Sequence, residues 1–424
     1  MKALIITYYW PPAGGSGVQR WLKFVKYLQD FGIDPVVYTV DNPKYIFIDD
    51  SLEDEIPKNI EILKQPIWEP NNLLSLIKSK QKETSAGFLN SNPSFFEKQL
   101  QYIRANYFIP DSRKYWIKPS VDFLSNYLQH NDIDVIITTG PPHSLHLIGL
   151  LLKQKFSLKW IADFRDPWTD IDYFHQLPLT KKSKKKHHKL EAKVLKNADA
   201  VLVVGKTMQE KYQTFNKNTI VISNGFDGEI NTDIDNLDDK FSISHIGMMN
   251  ADRNPKMFWK VLTNLIKEDS EFSTDLQVNL IGKVAPEILR EIISLSLKNH
   301  VNLIDYLPHN KVLQFQRKSQ VLLLAVNKVP SAKGIVTGKI FEYLQANRPI
   351  LAIAPQDGDL AEIIKKTNSG FVIEFGDEEN LKEIILNLYK KYKERNLITE
   401  TQNIAQYHRK NLTEKLVEVI RSIN

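Results

Sequence analysis

Apolar residues along this chain gather in short continuous runs, separated by stretches of helical length that mix polar and apolar positions. In the first half the runs are Ala3–Tyr9, Pro35–Val40, Ile60–Lys64, Val135–Thr139, Lys159–Phe164, Ala200–Val204 and Thr219–Ser223. Continuous rather than alternating hydrophobicity predicts strands buried on both faces, as in a parallel sheet covered by helices. Helices are predicted between them at Ser16–Phe31, His143–Lys155 and Lys184–Asn197. After Asn224-Gly225-Phe226-Asp227 and an acidic, Asn-rich stretch to Lys240, the pattern restarts. Strands are predicted at Ser242–Met248, Leu276–Ile281, Val301–Ile304, Val321–Val326, Pro349–Ala354 and Gly370–Glu374. Helices are predicted at Pro255–Lys267, Glu287–Lys298, Lys311–Lys318, Lys339–Ala346, Leu360–Lys366 and Glu378–Lys393. A last helix, Leu412–Ile423, has no strand after it and is expected to cross back onto the first domain.

This alternation predicts an α/β fold of two Rossmann-like, doubly wound parallel-sheet domains. The expected boundaries are 1–226, 227–410 and a tail helix over 411–424. Between Trp68 and Gln129 the rhythm breaks. That insertion, 68–129, is polar at first and then rich in aromatics: Phe95, Phe96, Tyr102, Tyr107, Phe108, Tyr115 and Trp116. It reads as helices and loops, either a packed cap or a surface facing an acceptor or a membrane.

Composition changes the picture in three places. The chain has 424 residues, 42% hydrophobic and 25% charged, enough for two ordinary cores. It has no cysteine, which excludes disulfides and thiolate metal sites. No run approaches the roughly 20 apolar residues of a membrane span. The expectation is a soluble cytoplasmic protein, free or peripheral on the inner face of the membrane. Net charge is +6, and Lys181–Lys189 holds six lysines and two histidines. That run reads as a solvated face, or as a contact for anionic lipid or a phosphorylated acceptor. No aromatic-interleaved basic motif accompanies it, so nucleic acid is not expected.

Four turns carry candidate chemistry, each after a strand, where open α/β sheets bind ligands. Tyr8-Tyr9-Trp10-Pro11-Pro12-Ala13-Gly14-Gly15-Ser16-Gly17 puts glycines before a helix start, where backbone N–H groups can meet an anion. It is neither a dinucleotide fingerprint nor a P-loop. Thr337-Gly338-Lys339 opens another helix. Lys339 opposes that helix's dipole, so it needs an anion or an i, i+3 pair with Glu342. Arg253, after Ser242–Met248, and Lys283, one βα unit later, are either phosphate ligands or surface charges. Asp163-Phe164-Arg165-Asp166-Pro167-Trp168 ends a strand with three charges, a structural corner or a working site. His143 lies at the mouth of the neighbouring strand.

Taken together, these pieces resemble the retaining family-four glycosyltransferases of the GT-B fold, in particular bacterial members that build surface polysaccharides. The resemblance rests on Tyr9-Trp10-Pro11-Pro12 with Gly14-Gly15, Asp163–Trp168, Ser223-Asn224-Gly225-Phe226-Asp227, Arg253-Asn254-Pro255, Gly338–Leu344 and Asn347-Arg348-Pro349. It covers nearly the whole chain and implies two domains facing across a donor-binding cleft. It implies that Gly14, Gly15, Arg253, Lys283, Thr337, Gly338 and Lys339 meet the donor diphosphate, and that Glu342 binds the ribose. It implies that Asp163, Arg165, Asp166 and His143 face the transferred sugar and the acceptor. The donor would be a UDP- or GDP-sugar and the acceptor a glycan or a polyprenyl-diphosphate-linked glycan. No metal or other cofactor is implied, and the donor phosphate itself would take the acceptor proton. One departure stands out: the family often carries a glutamate eight positions before the one matching Glu342, and here Gly334 stands there. A GT-B sugar-nucleotide epimerase and a non-catalytic sugar-nucleotide-binding module are the alternatives.

Overall fold

The computed structural model describes residues 1–43, 45, 48–69, 94–172, 174–230, 237–305, 307 and 309–424. The chain forms two units, Met1–Asn224 together with Arg409–Asn424, and Gly225–His408. The crossings thus fall at 224/225 and 408/409, two residues before the boundaries read from the sequence.

The first unit holds seven strands: β1 Lys2–Ile6, β2 Asp34–Val40, β3 Glu61–Gln65, β4 Val135–Gly140, β5 Lys159–Phe164, β6 Ala200–Val203 and β7 Thr219–Val221. They pair in the order β3-β2-β1-β4-β5-β6-β7, every ladder parallel. All of β4, and all of β1 and β5 after their first residues, is buried, because helices cover both faces. β1 ends three residues earlier than the apolar run Ala3–Tyr9, as the chain turns out towards Pro11-Pro12. The first helix is α-helical over Ser16–Leu28 and tightens to a 3-10 turn, Gln29–Phe31, before Gly32 at φ 75°. The second unit repeats the topology with β8 Phe241–Ile246, β9 Leu276–Ile281, β10 Val301–Ile304, β11 Val321–Ala325, β12 Ile350–Ile353 and β13 Gly370–Ile373, in the order β10-β9-β8-β11-β12-β13. Each sheet therefore reverses its winding once, between β1 and β4 and between β8 and β11. Crevices at such points are where this architecture binds ligands.

The tail helix runs from Arg409 to Ile423 and lies along the first helix. Leu412, Leu416, Val417 and Ile420 share a core with Val18, Trp21, Leu22 and Val25. In the insertion, positions 70–93 lie outside the described residues. Beyond them come helices Phe95–Tyr107 and Ile117–Leu128. The second packs on the helix Ser144–Phe156, and Trp116 stacks on Tyr38 at 5.0 Å. The first, capped by a reciprocal Ser94–Glu97 pair, buries none of its residues.

Candidate active site

In the C-terminal unit, the predicted residues gather around the switch point of the sheet. Gly247 follows β8 at φ 101°, a conformation glycine favours, and a Cβ there would come within 2.6 Å of Lys339 Cε. Lys339 is the first residue of the helix Lys339–Ala346. Its Nζ lies 3.2 Å from Nε2 of His245, which is buried in β8. The Nδ1 of His245 lies 3.1 Å from the Leu323 carbonyl oxygen. A carbonyl only accepts, so Nδ1 carries the proton and Nε2 offers a lone pair to the ammonium. Burial, then the charges of Lys339 and Arg253, hold His245 well below its ordinary pKa, so it is neutral. Burial, then the charge of Arg253, push Lys339 down to about 7, opposed by the carboxylate of Glu342.

Arg253 leaves the turn after β8. Its Nη1 donates to the Met248 carbonyl (2.9 Å) and its Nε to Asn327 Oδ1 (3.1 Å). Among the described residues, no carboxylate lies within ion-pair distance of Lys339. Glu342 is one turn on, but its Oε2 accepts from Gln316 Nε2 at 3.0 Å, so the simple i, i+3 pair does not form. The Thr337 hydroxyl is shielded from solvent and has no hydrogen-bond partner among the described residues. Gly338 precedes the helix, and its carbonyl accepts from Phe341 N–H at 3.2 Å. Lys283 is exposed on the next turn, its carbonyl accepting from Met249 N–H at 2.9 Å. Two cations, an unpartnered hydroxyl and a helix start together make a patch that favours an anion.

In the N-terminal unit the predicted residues part company. Gly15, at φ 96°, caps the helix Ser16–Leu28 and faces open space, with Gly14 beside it. Asp163 is completely buried. Its Oδ1 accepts from Arg20 Nη2 (2.9 Å), and its Oδ2 accepts from Arg20 Nε (3.3 Å), Trp21 Nε1 (2.7 Å) and the Thr139 hydroxyl (2.9 Å). Arg20 also donates to the carbonyls of Ile222 and Ser223, so this ion pair ties the first helix to the segment that leaves the unit. The side chain of Asp166 is exposed. Arg165 donates through Nη2 to the Pro141 carbonyl, packs against Gly17, and leaves its buried Nε unpaired.

His143 stacks on Trp168 with ring centroids 4.9 Å apart and planes 3° from parallel. Burial first holds it well below its usual pKa, so it too is neutral. A Cβ on Gly140 would lie 2.5 Å from His146 Nε2 and 3.0 Å from His143 Nδ1. Both nitrogens are buried and unpaired. Three buried unpaired nitrogens, from Arg165, His143 and His146, thus belong to the region where β4 and β5 end.

Sequence reasoning missed His245, His146 and Arg20. His245 sits inside an apolar run, where a histidine reads as core; its only local signal is Gly247, two residues on. The pairing of Arg20 with Asp163 spans 143 positions and leaves no local trace. Among the described residues, no group of three or more His, Asp or Glu is placed to hold a metal.

Two parallel Rossmann-like units, the second with polar residues gathered at its switch point, are the architecture of the GT-B fold. Residues 88–229 match the Glycosyltransferase Family 4 model, and residues 240–391 match the model described as Glycosyl transferases group 1. The chain belongs to the family-four-type glycosyltransferases of the GT-B fold. No curated protein matches it. Among solved structures it is similar to sucrose-phosphate synthase from Thermosynechococcus elongatus, at TM-score 0.61 and 14% identity, covering 100% of this chain and 98% of that one. The lipopolysaccharide outer core galactosyltransferase WaaB is similar at TM-score 0.60 and 12% identity, covering 100% and 99%. A TarM variant from S. aureus, solved with fondaparinux, α-GlcNAc-glycerol and UDP, is similar at TM-score 0.59 and 13% identity, covering 99% of each chain. At these identities the likeness is one of fold.

Proposed function

We propose that the chain transfers a sugar from a UDP- or GDP-sugar to a glycan or polyprenyl-diphosphate-linked acceptor. The transfer retains anomeric configuration, needs no metal, and serves the building of a bacterial surface polysaccharide. The observation that carries this reading is Lys339, an ammonium at a helix start beside Arg253 with no carboxylate among the described residues within ion-pair distance. The helix dipole and the neighbouring cation both disfavour the charge there. A bound diphosphate relieves both, and its charge grows as it departs, which is when stabilisation accelerates transfer.

In this reading Lys339, Arg253, Lys283, the Thr337 hydroxyl and the Gly338 backbone take the diphosphate, and Glu342 the ribose hydroxyls. In the N-terminal unit we assign Gly14 and Gly15 to backbone approach to phosphate. His143, Arg165 and Asp166 are assigned to the sugar and the acceptor. Asp163, whose oxygens are already taken, positions its neighbours rather than touching substrate.

Transfer from labelled UDP- and GDP-sugars reads the activity. Lys339→Ala and Glu342→Ala are each expected to lower kcat/KM by about a hundredfold. Full activity in both would overturn the donor-site assignment. Likeness to a structure described as a UDP-N-acetylglucosamine 2-epimerase from Listeria monocytogenes, at TM-score 0.57, supports a second reading. Interconversion of a sugar nucleotide with no acceptor present would establish it. Gly334 supports a third reading, a binding module, which calorimetric nucleotide binding without turnover on any acceptor would establish.

A further inference from the structure

We infer that the face of the N-terminal unit formed by the helices Phe95–Tyr107 and Lys181–Asn197 docks on an anionic lipid bilayer. Phe95–Tyr107 is a helix of 13 residues with none buried. Such a helix gains little from tertiary packing, the usual source of helix stability. It nevertheless exposes five large apolar side chains: Phe95 is 79% exposed, Tyr107 66% and Phe96 59%, with Tyr102 and Ile103 above 40%. At 100° per residue these five fall within roughly 140° of arc, an aromatic-rich face that also carries Gln99 and Asn106. Water alone gives no reason to group them so.

The second helix carries eight lysines and one glutamate. All eight lysines are exposed, and among the described residues none forms an ion pair. The glutamate, Glu191, is buried and bonded to Thr169 and Tyr212. His187 is likewise turned in, accepting from the Trp168 indole at 3.0 Å. The inward side is fixed to the unit, and the outward side is a field of unpaired ammonium groups. Lys181, Lys182 and Lys184 stand at the N-terminal end, where the dipole repels them, so the charge does not serve the helix.

The two helices are joined. Asn106, on the apolar face of the first, donates to the Pro178 carbonyl and accepts from the Thr180 backbone N–H, each at 2.8 Å. Thr180 is the cap of the lysine helix. Lys98, Gln99, Tyr102, Gln176 and Pro178 line an open groove beside this junction. Apolar rings flanked by lysines match the interface of a bilayer, with rings among the acyl boundary and ammonium groups on anionic headgroups. A soluble polyanion would use the lysines and leave the rings without a role. No described helix is long and apolar enough to cross a membrane, so the contact is a docking.

Co-sedimentation of the full chain with vesicles tests this. Binding is expected to phosphatidylcholine vesicles containing 30% phosphatidylglycerol, to be absent with pure phosphatidylcholine, and to weaken as salt rises. Reversing four exposed lysines (K181E, K182E, K185E, K186E) is expected to cut binding at least tenfold. F95S with F96S is expected to cut it several-fold at unchanged net charge. Neither set is expected to change the melting temperature or nucleotide binding. No binding to anionic vesicles, or binding indifferent to both sets, would overturn the inference. So would F95S/F96S binding equal to wild type, which would assign the lysines to a soluble polyanion. The assay uses no nucleotide, so its outcome is independent of the donor site.

Discussion

At the scale of single residues, the proposed donor patch centres on an ammonium whose charge depends on what it meets. Burial holds Lys339 down to about 7. It is therefore mostly charged at pH 6 and mostly neutral at pH 8.5. An anion against Nζ favours the charged form and raises that pKa on binding. If Lys339 holds the diphosphate, nucleotide affinity is expected to stay level below about 7 and to fall above it, by up to about tenfold per pH unit. Calorimetry of UDP binding between pH 7 and 9 reads the slope. Lys339→Arg, which stays charged throughout, is expected to flatten it. A slope unchanged by arginine would assign the titration elsewhere. His245→Phe removes the lone pair that faces Nζ and is expected to move the onset of that loss of affinity to lower pH. Asp163 is the opposite case, a carboxylate already neutralised. Asp163→Ala leaves the buried charge of Arg20 without its carboxylate, at a cost of about 3–5 kcal/mol, seen as a lower melting transition. Lys339, Arg253 and Glu342 could be picked from the sequence because each sits on a turn or first helical turn after a strand. Their true partners, His245, Asn327 and Gln316, arrive from other elements, and no local spacing points to them.

Among the elements, what could be read in advance was what burial dictates. Strands such as Leu276–Ile281 and Val321–Ala325 stand where continuous apolar runs place them, because a parallel strand covered on both faces leaves little room for polar residues. The short helices Lys206–Tyr212 and Ser270–Asp275 were not legible, since seven and six residues carry too little periodicity. The lysine helix begins at Lys181 rather than Lys184, set by the Thr180 cap and not by hydrophobic pattern. Close packing between a helix and the sheet beneath it shows at Gly149, in the helix Ser144–Phe156. A Cβ there would lie 2.4 Å from Trp160 Nε1 and 2.6 Å from Thr138 Cγ2. Gly149→Ala is expected to lift the helix from β4 and β5 and to lower stability by about 1–3 kcal/mol, measured by denaturant unfolding.

For the whole molecule, the consequential feature is that the first unit is discontinuous. Leu412, Leu416, Val417 and Ile420, all within the core, contribute roughly 1.5–3 kcal/mol each. Their sum is comparable to the roughly 5–15 kcal/mol that holds an ordinary domain together. A chain truncated after His408 is therefore expected to leave the first unit unfolded or aggregated, while Gly225–His408 keeps its cooperative melt. Limited proteolysis that cut both units equally would contradict this.

The same discontinuity sets an order of events during synthesis. Residues 1–224 emerge first, yet the helix that seals their core follows the entire second unit. At about 5–20 residues per second, the nascent first unit waits on the order of ten seconds or more with that groove open. The later-made unit can finish folding before the earlier one does. The amino-terminal portion is then the part expected to engage a holding chaperone during synthesis, and a product stalled short of residue 409 is expected to be sensitive to proteases.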